Sequence, residues 1–465
     1  MRYDLIIVGM GSAGMVAAEF ASTLGIRVAC AERARVGGDC LWTGCVPSKA
    51  LLASARAAHA MRAADAYGLT GLDPDIDSRR VWARIHAIQD EIAATDDNAD
   101  RFRALGVDVL PGDARLLSPT AVRVGEHAHA ARFVLLATGS RPALPPIDGL
   151  AAASPLTSER IFTLAQAPAS VVMIGGGPVT VELAQALARL GVRTTVLQRG
   201  PRVLAREEPA LAERLLARLR AEGIEVVTGV EADRASVDAG GAAKTVHAGE
   251  RSWTAQEIFV ATGRAPNVEG LGLEQAGVKL GPRGVIVDRA LRSSLKSVYA
   301  AGDVAGRHRF THAAGYEAAR AVRNMFFPGR SGGPYLVPWC TFTDPELAHA
   351  GLTESEARAQ HGDAAVRVWR QDLAHSDRAR TESASDGELR IVTAKGRIVG
   401  AHVLAPSAGE VIGELALAID RRLKLTDLAN VVHVYPTIAL AIQQLAAEAS
   451  YEAARRFGWL VRSRA

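Results

Sequence analysis

Cysteine is scarce in this sequence, because its 465 residues contain only four. Cys30 and Cys340 stand alone, whereas Cys40 and Cys45 are separated by four residues. A metal site would need a second cluster of ligands in the sequence, so we expect no resident metal. From the spacing alone the pair could be two buried structural cysteines, half of a metal site or a redox-active pair.

Long apolar runs and basic stretches are lacking too. No apolar run reaches the ~18 residues that a membrane span needs, and no basic run is interleaved with aromatic residues. We therefore expect neither a membrane nor a nucleic-acid partner. The N-terminal MRYD leads straight into LIIVG without the pattern of a secretory signal, which favours a cytoplasmic protein. In such a reducing compartment a disulfide is usually catalytic or redox-sensing.

What the chain does have is enough apolar material for a large core. Hydrophobic residues make up 48% of the sequence and the net charge is +4, which is typical of a globular protein. The length favours two to four domains.

The stretch GGDCLWTGCVPSK, residues 37–49, places the cysteine pair near a helix start. Residues five apart on a regular helix are offset by at least ~7.5 Å along its axis, and a disulfide needs Cα atoms about 4.4–6.8 Å apart. The pair can therefore close only if the backbone departs from a regular helix, which Gly44 permits. We predict a loop over GGDC and a helix from VPSK onward, with Pro47 in its first turn. Lys49 places a cation near the thiols, which favours the reactive thiolate.

A first glycine motif follows the apolar strand Tyr3–Val8. Gly9, Gly11 and Gly14 form a G-x-G-x-x-G turn before a helical segment, and Glu32 ends the next strand. In dinucleotide-binding folds such glycines make the tight turn, admit a pyrophosphate and allow close helix packing, while the acid bonds a ribose. The alternative is a glycine-rich turn that binds nothing.

A second glycine motif repeats this arrangement after the strand Ser170–Ile174. Residues 175–178 (GGGP) open a helix, and the following strand ends in Gln198 and Arg199 instead of an acid. Without a carboxylate to repel a 2′-phosphate, and with Arg206 close by, the pattern favours NADPH over NADH. The alternative is a solvated basic turn with no selectivity. The segments ATGSRP (residues 137–142) and ATGRAPN (residues 261–267) also echo each other.

Together these motifs resemble the pyridine nucleotide–disulfide oxidoreductases that include dihydrolipoamide dehydrogenase, glutathione reductase and mercuric reductase. GGDCLWTGCVPSK is similar to the active-site stretch of that family, AAGDV (residues 300–304) to its second flavin motif, and residues 342–357 to the start of its dimer-interface domain. The resemblance implies an α/β fold with two Rossmann-like domains and a C-terminal α+β dimerisation domain. It implies a homodimer and four segments: 1–145 and 266–335 for FAD, 146–265 for NAD(P)H, and 336–465 for the dimer interface.

The resemblance also implies roles for individual residues. Cys45 would lie next to the flavin, Cys40 would meet the substrate, and Lys49 would lie by the flavin ring and pair with Glu182. The FAD-binding residues implied are Gly9, Gly11, Gly14, Glu32, Lys49, Ala114, Gly139, Gly302, Asp303 and Thr311. The NADPH-binding residues implied are Gly175, Gly177, Glu182, Gln198, Arg199, Arg206, Gly263 and Arg264.

The sequence departs from the family pattern at two places. Asp39 stands where the family usually has Thr, and a carboxylate near phosphates needs a compensating charge or a side chain that turns away. Near the C-terminus, Tyr435 and Leu440 occupy the positions of the catalytic His and its Glu. A tyrosine with a pKa near ~10 is a poor base at neutral pH. His433 is an alternative acid–base group, provided that the chain bends to aim it, or it has a structural role.

We predict an FAD-dependent, NADPH-preferring reductase that passes electrons through the Cys40–Cys45 disulfide to a small disulfide, a metal ion or a quinone-like acceptor. The first alternative is a dihydrolipoamide dehydrogenase that uses NAD. The second is a redox-sensing flavoprotein with little turnover.

Overall fold

A computed structural model describes residues 2–329 and 332–455. The described strands are β1 Arg2–Val8, β2 Val28–Glu32, β3 Asp108–Pro111, β4 Ala114–Ser118, β5 Ala121–Val124, β6 His127–Leu136, β7 Ser140–Pro142, β8 Ser170–Ile174, β9 Arg193–Gln198, β10 Glu225–Thr228, β11 Arg234–Val237, β12 Lys244–Ala248, β13 Arg251–Ala255, β14 Glu257–Val260, β15 Arg264–Pro266, β16 Leu280–Gly281, β17 Gly284–Val285, β18 Val298–Ala300, β19 Trp339–Thr341, β20 Glu346–Gly351, β21 Val366–Asp372, β22 Glu388–Ala394 and β23 Arg397–Ala405.

The described α-helices are α1 Ser12–Thr23, α2 Gly38–Trp42, α3 Cys45–Arg62, α4 Ser78–Thr95, α5 Ala99–Ala104, α6 Ser158–Ile161, α7 Pro178–Arg189, α8 Pro209–Ala221, α9 Thr311–Phe326, α10 Glu354–His361, α11 Asp377–Thr381, α12 Ala408–Asp420, α13 Leu425–Leu428 and α14 Leu440–Arg455. Short 3₁₀ helices cover Ala64–Tyr67, Gly302–Ala305, Asp363–Ala365 and Leu373–His375. Of the helices in this part of the chain, none has the length and apolar character that a membrane crossing requires.

The chain divides into two compact units. The first contains residues 1–51, 77–167 and 259–334, and the second contains residues 52–76, 168–258 and 335–465. The four predicted segments stay a prediction, because the two units cut across them: residues 52–76 of the first FAD segment belong to the second unit, and residues 146–167 of the NAD(P)H segment belong to the first.

The first unit is built on a seven-stranded sheet in the order β3-β2-β1-β6-β5-β4, with β18 beside β6. β1 lies at its centre, parallel to both β2 and β6, and the side chains of Leu5, Ile6 and Ile7 are fully buried. In open parallel sheets, ligands bind at the carboxyl ends of such central strands. The first glycine motif begins at this end of β1.

Helices α1 and α9 cover one face of that sheet and share a core. Alanines dominate their buried faces, including Ala17 and Ala21 of α1 and Ala318 and Ala321 of α9. Small side chains allow two helices to approach closely, because little side-chain volume separates their backbones. The packing brings the second flavin motif, which precedes α9 in the chain, next to the first glycine motif. A Cβ added to Gly302 would lie 3.6 Å from the Cβ of Ala13.

The second unit contains the second glycine motif and the C-terminal domain. Its strands β10, β9 and β8 are parallel neighbours, and the sheet continues to the start of β14. The C-terminal domain is a five-stranded antiparallel sheet in the order β19-β20-β23-β22-β21, with α12 and α14 in the same core. This confirms the predicted α/β class with two Rossmann-like sheets and a C-terminal α+β domain.

A buried ion-pair network fixes α7 within the second unit. Arg189, whose side chain is 4% exposed, bonds both Glu222 and Asp344 at 2.8 Å. The guanidinium offsets the burial of both carboxyl groups and lowers their pKa values. The helix that carries the second glycine motif is thereby tied to the start of the C-terminal domain.

The prediction of a loop over GGDC is wrong for its last residues. Gly38 begins α2, which follows Gly37 in the left-handed conformation (φ 101°) and ends at Trp42. The helix α3 then begins at Cys45 instead of Val46. The glycine pair at residues 37 and 38 was ambiguous, because such pairs are typical of loops. Here Gly37 is the residue before a helix and Gly38 is the first residue of that helix.

A pH effect on stability follows from His402 in the core of the C-terminal domain. Burial, followed by the neighbouring His349, lowers the pKa of His402 to about 3. As the pH falls below ~6.5, the unfolded chain binds a proton at this position that the folded chain does not, so stability falls by about 1.4 kcal/mol per pH unit until the pH nears the folded value.

We expect His402→Phe to remove this acid sensitivity. The variant loses the contact between His402 Nε2 and the Leu352 carbonyl, 3.1 Å in the parent, which is a pH-independent cost. The gap in melting temperature between parent and variant should therefore narrow from pH 7 to pH 5. The matched control is His127→Phe on an exposed strand position. If the difference in melting temperature from the parent does not change with pH for either variant, His402 is not the source of the acid sensitivity.

Candidate active site

The cysteine pair lies at a break between two helices of the first unit. α2 ends at Trp42 and α3 begins at Cys45. A Cβ on Gly44 would lie 2.9 Å from the Asp39 carbonyl oxygen and 3.7 Å from the Cys40 Cα. A side chain at position 44 would press on the Asp39 carbonyl, so the close packing of the backbone between Cys40 and Cys45 needs a glycine here.

The two cysteine side chains differ in their surroundings. Cys40 is half-buried and hydrogen-bonded to Cys45, and this bond together with burial raises the pKa of Cys40. Cys45 is exposed, and its Sγ lies 3.3 Å from Thr311 Oγ1. Thr311 begins α9, and the N-terminus of a helix favours a negative charge. The helix N-terminus therefore favours an anionic sulfur at Cys45, while bonds from Thr311 and Ser12 to Cys40 offset part of the rise in its pKa.

Backbones approach closely beside the first glycine motif. A Cβ on Gly38 would lie 2.7 Å from the Gly11 Cα, so Gly38 does not accept a side chain without a shift. Glu32 ends β2, where its carboxylate accepts hydrogen bonds from the backbone N–H groups of Met10 (2.7 Å) and Ala34 (2.8 Å). This is a cradle of bare backbone beside a carboxylate, which fits the pyrophosphate and ribose of a dinucleotide.

The second flavin motif is held in place by buried partners. The backbone N–H of Gly302 donates to Glu317 Oε2 at 2.9 Å, and the Glu317 side chain is fully buried. Asp303 accepts a short hydrogen bond of 2.5 Å from Ser140 Oγ. These contacts fix a carboxylate near the N-terminus of α9, in the unit that carries the first glycine motif, so the residues fit FAD.

Arg264 lies among carboxylates of the first unit. Its Nη2 donates to the Asp39 carboxylate, and its Nε donates to Ser140 Oγ at 2.6 Å and lies 3.6 Å from Asp303 Oδ2. Asp39 therefore has the compensating charge that a carboxylate near phosphates needs. Arg264 was predicted to bind the nicotinamide nucleotide, and Ser140 was not predicted, although the echo between the two ATG segments was a signal. These segments pair as the antiparallel strands β7 and β15.

The other predicted FAD residues of the first unit occupy backbone positions. Ala114 is the first residue of β4, and Gly139 directly precedes β7 with φ 69°. Gly263, which was predicted to bind NADPH, directly precedes β15. Lys49 lies in the second turn of α3.

The second glycine motif, in the second unit, leads into α7 with Pro178 in its first turn. Gly175 and Gly177 precede that helix. Glu182 is 5% exposed, and its Oε1 accepts a hydrogen bond of 2.9 Å from the backbone N–H of Phe342. This carboxylate therefore holds the backbone at the start of the C-terminal domain, and its pairing with Lys49 stays a prediction.

The arginines after β9 differ in their contacts. Arg199 is 79% exposed and lies 3.3 Å from Glu231. Arg202 donates to the carbonyl oxygens of Ala205 (2.7 Å) and Glu207 (3.0 Å), so it closes its own loop. The guanidinium of Arg206 lies over the Trp339 ring, 4.7 Å from its centre.

Gln198 ends β9 and packs on the second glycine motif. Its side chain lies 2.9 Å from the position of a Cβ on Gly176, and its Nε2 donates to the Arg202 carbonyl at 3.3 Å. A neutral amide thus stands where an acid would select against a 2′-phosphate.

The C-terminal segment shows which way His433 and Tyr435 point. The His433 side chain is 6% exposed, with Nε2 at 3.0 Å from Glu414 Oε1 and Nδ1 at 3.2 Å from the Val431 carbonyl. Tyr435 is 67% exposed, and its hydroxyl donates to Asp377 at 3.0 Å. This hydrogen bond to a carboxylate raises the pKa of Tyr435. Glu414 lies 19 residues before His433, so no local pattern pointed to it.

Comparisons with known proteins agree with this geometry. The family described as pyridine nucleotide-disulphide oxidoreductase matches residues 3–318, and its dimerisation domain matches residues 337–446. The chain is 30% identical to dihydrolipoyl dehydrogenase of Bacillus subtilis, covering 97% of this chain and 99% of the relative. It is 34% identical to mercuric reductase of Acidithiobacillus ferrooxidans, and the match covers 93% of this chain and 80% of the relative.

Solved structures give the same fold. The HOCl-induced flavoprotein disulfide reductase RclA from Escherichia coli superposes with a TM-score of 0.85 at 24% identity, covering 96% of this chain and 99% of that one. A Cu(II) complex of a variant of RclA has a TM-score of 0.85 at 25% identity, with the same coverage.

We expect Gly44→Ala to separate the two sulfur atoms. The added methyl group overlaps the Asp39 carbonyl, and overpacking of this kind costs about 1–3 kcal/mol. Disulfide closure, measured as the rate at which titratable thiols disappear under an oxidant, should slow by about tenfold or more. Gly240→Ala is the control, because its Cβ would meet only an ordinary contact at 3.9 Å. Equal closure rates in the two variants would show that the tight turn is not required.

Proposed function

Because the chain belongs to the pyridine nucleotide-disulphide oxidoreductase family, we propose that it is a reductase that takes electrons from NADPH and delivers them through Cys40 and Cys45 to a small acceptor. Flavin-dependent disulfide oxidoreductase activity and the use of FAD and a pyridine nucleotide follow from the family. The preference for NADPH, the residue roles and the acceptor are our proposal. A bound FAD supplies two-electron transfer between the nicotinamide and the cysteine pair.

The observation that carries this proposal is the asymmetry of the cysteine pair. Cys45 lies at the N-terminus of α9 beside Thr311, which favours an anionic sulfur. Cys40 is the thiol whose pKa is raised by its bond to Cys45 and by burial. We propose that Cys45 is the thiolate next to the flavin and that Cys40 attacks or binds the acceptor. Lys49 and Glu182 keep the roles that the family resemblance implies.

The dimerisation domain supports a homodimer. We propose that Tyr435 of one copy serves the cysteine pair of the other, since its side chain is exposed whereas the His433 ring is enclosed by Glu414 and Val431. With its pKa raised by Asp377, Tyr435 stays protonated at neutral pH, so it can donate a hydrogen bond but not act as a base. His433 then has a positioning role.

A group that keeps its proton suits an acceptor that needs electrons and soft ligands. We therefore propose a metal ion, a quinone-like compound or a small disulfide, and Hg(II) and Cu(II) head the candidates because relatives include mercuric reductase and a Cu(II) complex of RclA. A cytoplasmic location is part of the proposal, because a reducing compartment lets a catalytic pair cycle.

The second candidate is a dihydrolipoyl dehydrogenase that uses NAD. The identity to that enzyme favours it. Gln198, and Tyr435 in place of a basic histidine, count against it. A redox-sensing flavoprotein with little turnover is the remaining alternative.

Coenzyme selectivity tests the first half of the proposal. We expect NADPH to reduce the flavin of the purified enzyme with a lower half-saturating concentration than NADH in stopped-flow experiments. Arg199→Ala should raise that concentration about tenfold for NADPH and leave the value for NADH within about twofold, because one contact between a cation and a phosphate is lost. Arg193→Ala, at the other end of β9, is the control. A preference for NADH in the parent enzyme would support the dehydrogenase candidate instead.

The acceptor half is tested with Tyr435→Phe. This variant should reduce its flavin with NADPH at the parental rate, while its steady-state rate with the best of lipoamide, glutathione disulfide, Hg(II), Cu(II) and quinones falls at least about tenfold. His433→Ala should lower the melting temperature because it leaves Glu414 without its imidazole. If His433→Ala abolishes turnover and Tyr435→Phe does not, the assignment of Tyr435 is wrong.

A further inference from the structure

Three acidic side chains crowd the flavin-binding unit next to the first glycine motif. Asp39 directly follows Gly38, whose backbone touches that of Gly11. Asp303 belongs to the second flavin motif, and burial together with the charge of the nearby Asp39 raises the pKa of Glu159. A cofactor diphosphate that enters beside Gly11 would add further negative charge to this region. Such a site needs a cation that is fixed in place.

Arg264 satisfies that requirement through four contacts on one guanidinium. Its Nη2 bonds the Asp39 carboxylate and the Ser140 carbonyl (2.8 Å), and its Nε bonds Ser140 Oγ (2.6 Å) and lies 3.6 Å from Asp303. Ser140 is 4% exposed and links Arg264 to Asp303, because its hydroxyl accepts from Arg264 and donates to Asp303 at 2.5 Å. A planar guanidinium can make this set of directed bonds, whereas a lysine ammonium cannot.

The strand pair explains why the arginine is rigid. Arg264 pairs with Pro142 and Pro266 pairs with Ser140 in the ribbon of β7 and β15. The donor and its serine partner are therefore fixed by the backbone before any cofactor binds. Preorganised charge of this kind stabilises a charged ligand without the cost of rearrangement.

We propose that Arg264 is a positioning residue of the flavin site: it neutralises Asp39 and directs that carboxylate away from the flavin diphosphate, and through Ser140 it aims Asp303 at the flavin's sugar hydroxyls. This inference rests on the proposed FAD site and differs from a contact of Arg264 with NADPH. It also explains how the chain accommodates an aspartate at a position where a hydroxyl residue is usual.

The test measures flavin retention in full-length holoenzyme by dilution, ultrafiltration and the fluorescence of the released flavin. Arg264→Gln should raise the FAD dissociation constant about tenfold or more, because it leaves the Asp39 carboxylate without its cationic partner next to the diphosphate. Arg264→Gln combined with Asp39→Asn should return the constant to within about threefold of the parent. Asp39→Asn alone should bind FAD at least as tightly as the parent, which keeps the test valid if Arg264→Gln does not fold.

Arg141→Gln is the matched control. Arg141 lies in the same ribbon and bonds Glu269 with two parallel hydrogen bonds of 2.9 Å, so its loss should leave flavin retention unchanged. Parental retention in Arg264→Gln, or no recovery in the double variant, would overturn the inference. So would weaker retention in Asp39→Asn, or a variant Arg264→Gln that keeps its flavin but requires more NADPH. Each of these results leaves the proposed reductase function standing, whereas a parent enzyme that purifies without flavin contradicts both.

Discussion

The close packing of α1 and α9 is the constraint on which the first unit depends. Their alanine-rich faces bring the second flavin motif against the first glycine motif. Because Thr311 begins α9, this packing also sets where Cys45 finds its hydroxyl partner. A larger side chain at Ala17 or Ala318 would therefore disturb cofactor binding and the cysteine pair together, although neither residue touches a reacting group.

Around that frame the redox pair is shaped by a single backbone turn. Gly44 allows the close packing of the backbone between Cys40 and Cys45, and the two sulfurs differ in burial and in their hydrogen-bond partners. In the C-terminal domain, the two candidate acid–base side chains also differ in their exposure. His433 is enclosed and Tyr435 is exposed, so the segment presents an aromatic hydroxyl and keeps its imidazole inside.

The sequence was sufficient for the fold class, the two nucleotide-binding sheets and the C-terminal domain, because strand–glycine–helix patterns and the helix after the cysteine pair are encoded locally. The helix at Gly38 was missed because a glycine pair looks like a loop until its dihedral angles are known. Contacts between residues far apart in the sequence could not be predicted from local patterns. Glu414 lies in α12, well before His433, and Ser140 contacts Arg264 only because two short strands pair. The echo between the two ATG segments was visible, but a repeat alone does not say that its copies pair.

The link between Asp39 and Arg264 also bears on how such a site can change over generations. A chain with arginine at position 264 and an uncharged residue at position 39 keeps a cation beside the diphosphate, which needs no acid to balance it. A chain with aspartate at position 39 and no arginine at position 264 has an unmatched carboxylate there. The ion pair therefore makes the two substitutions unequal, because the acid depends on the arginine and the arginine does not depend on the acid.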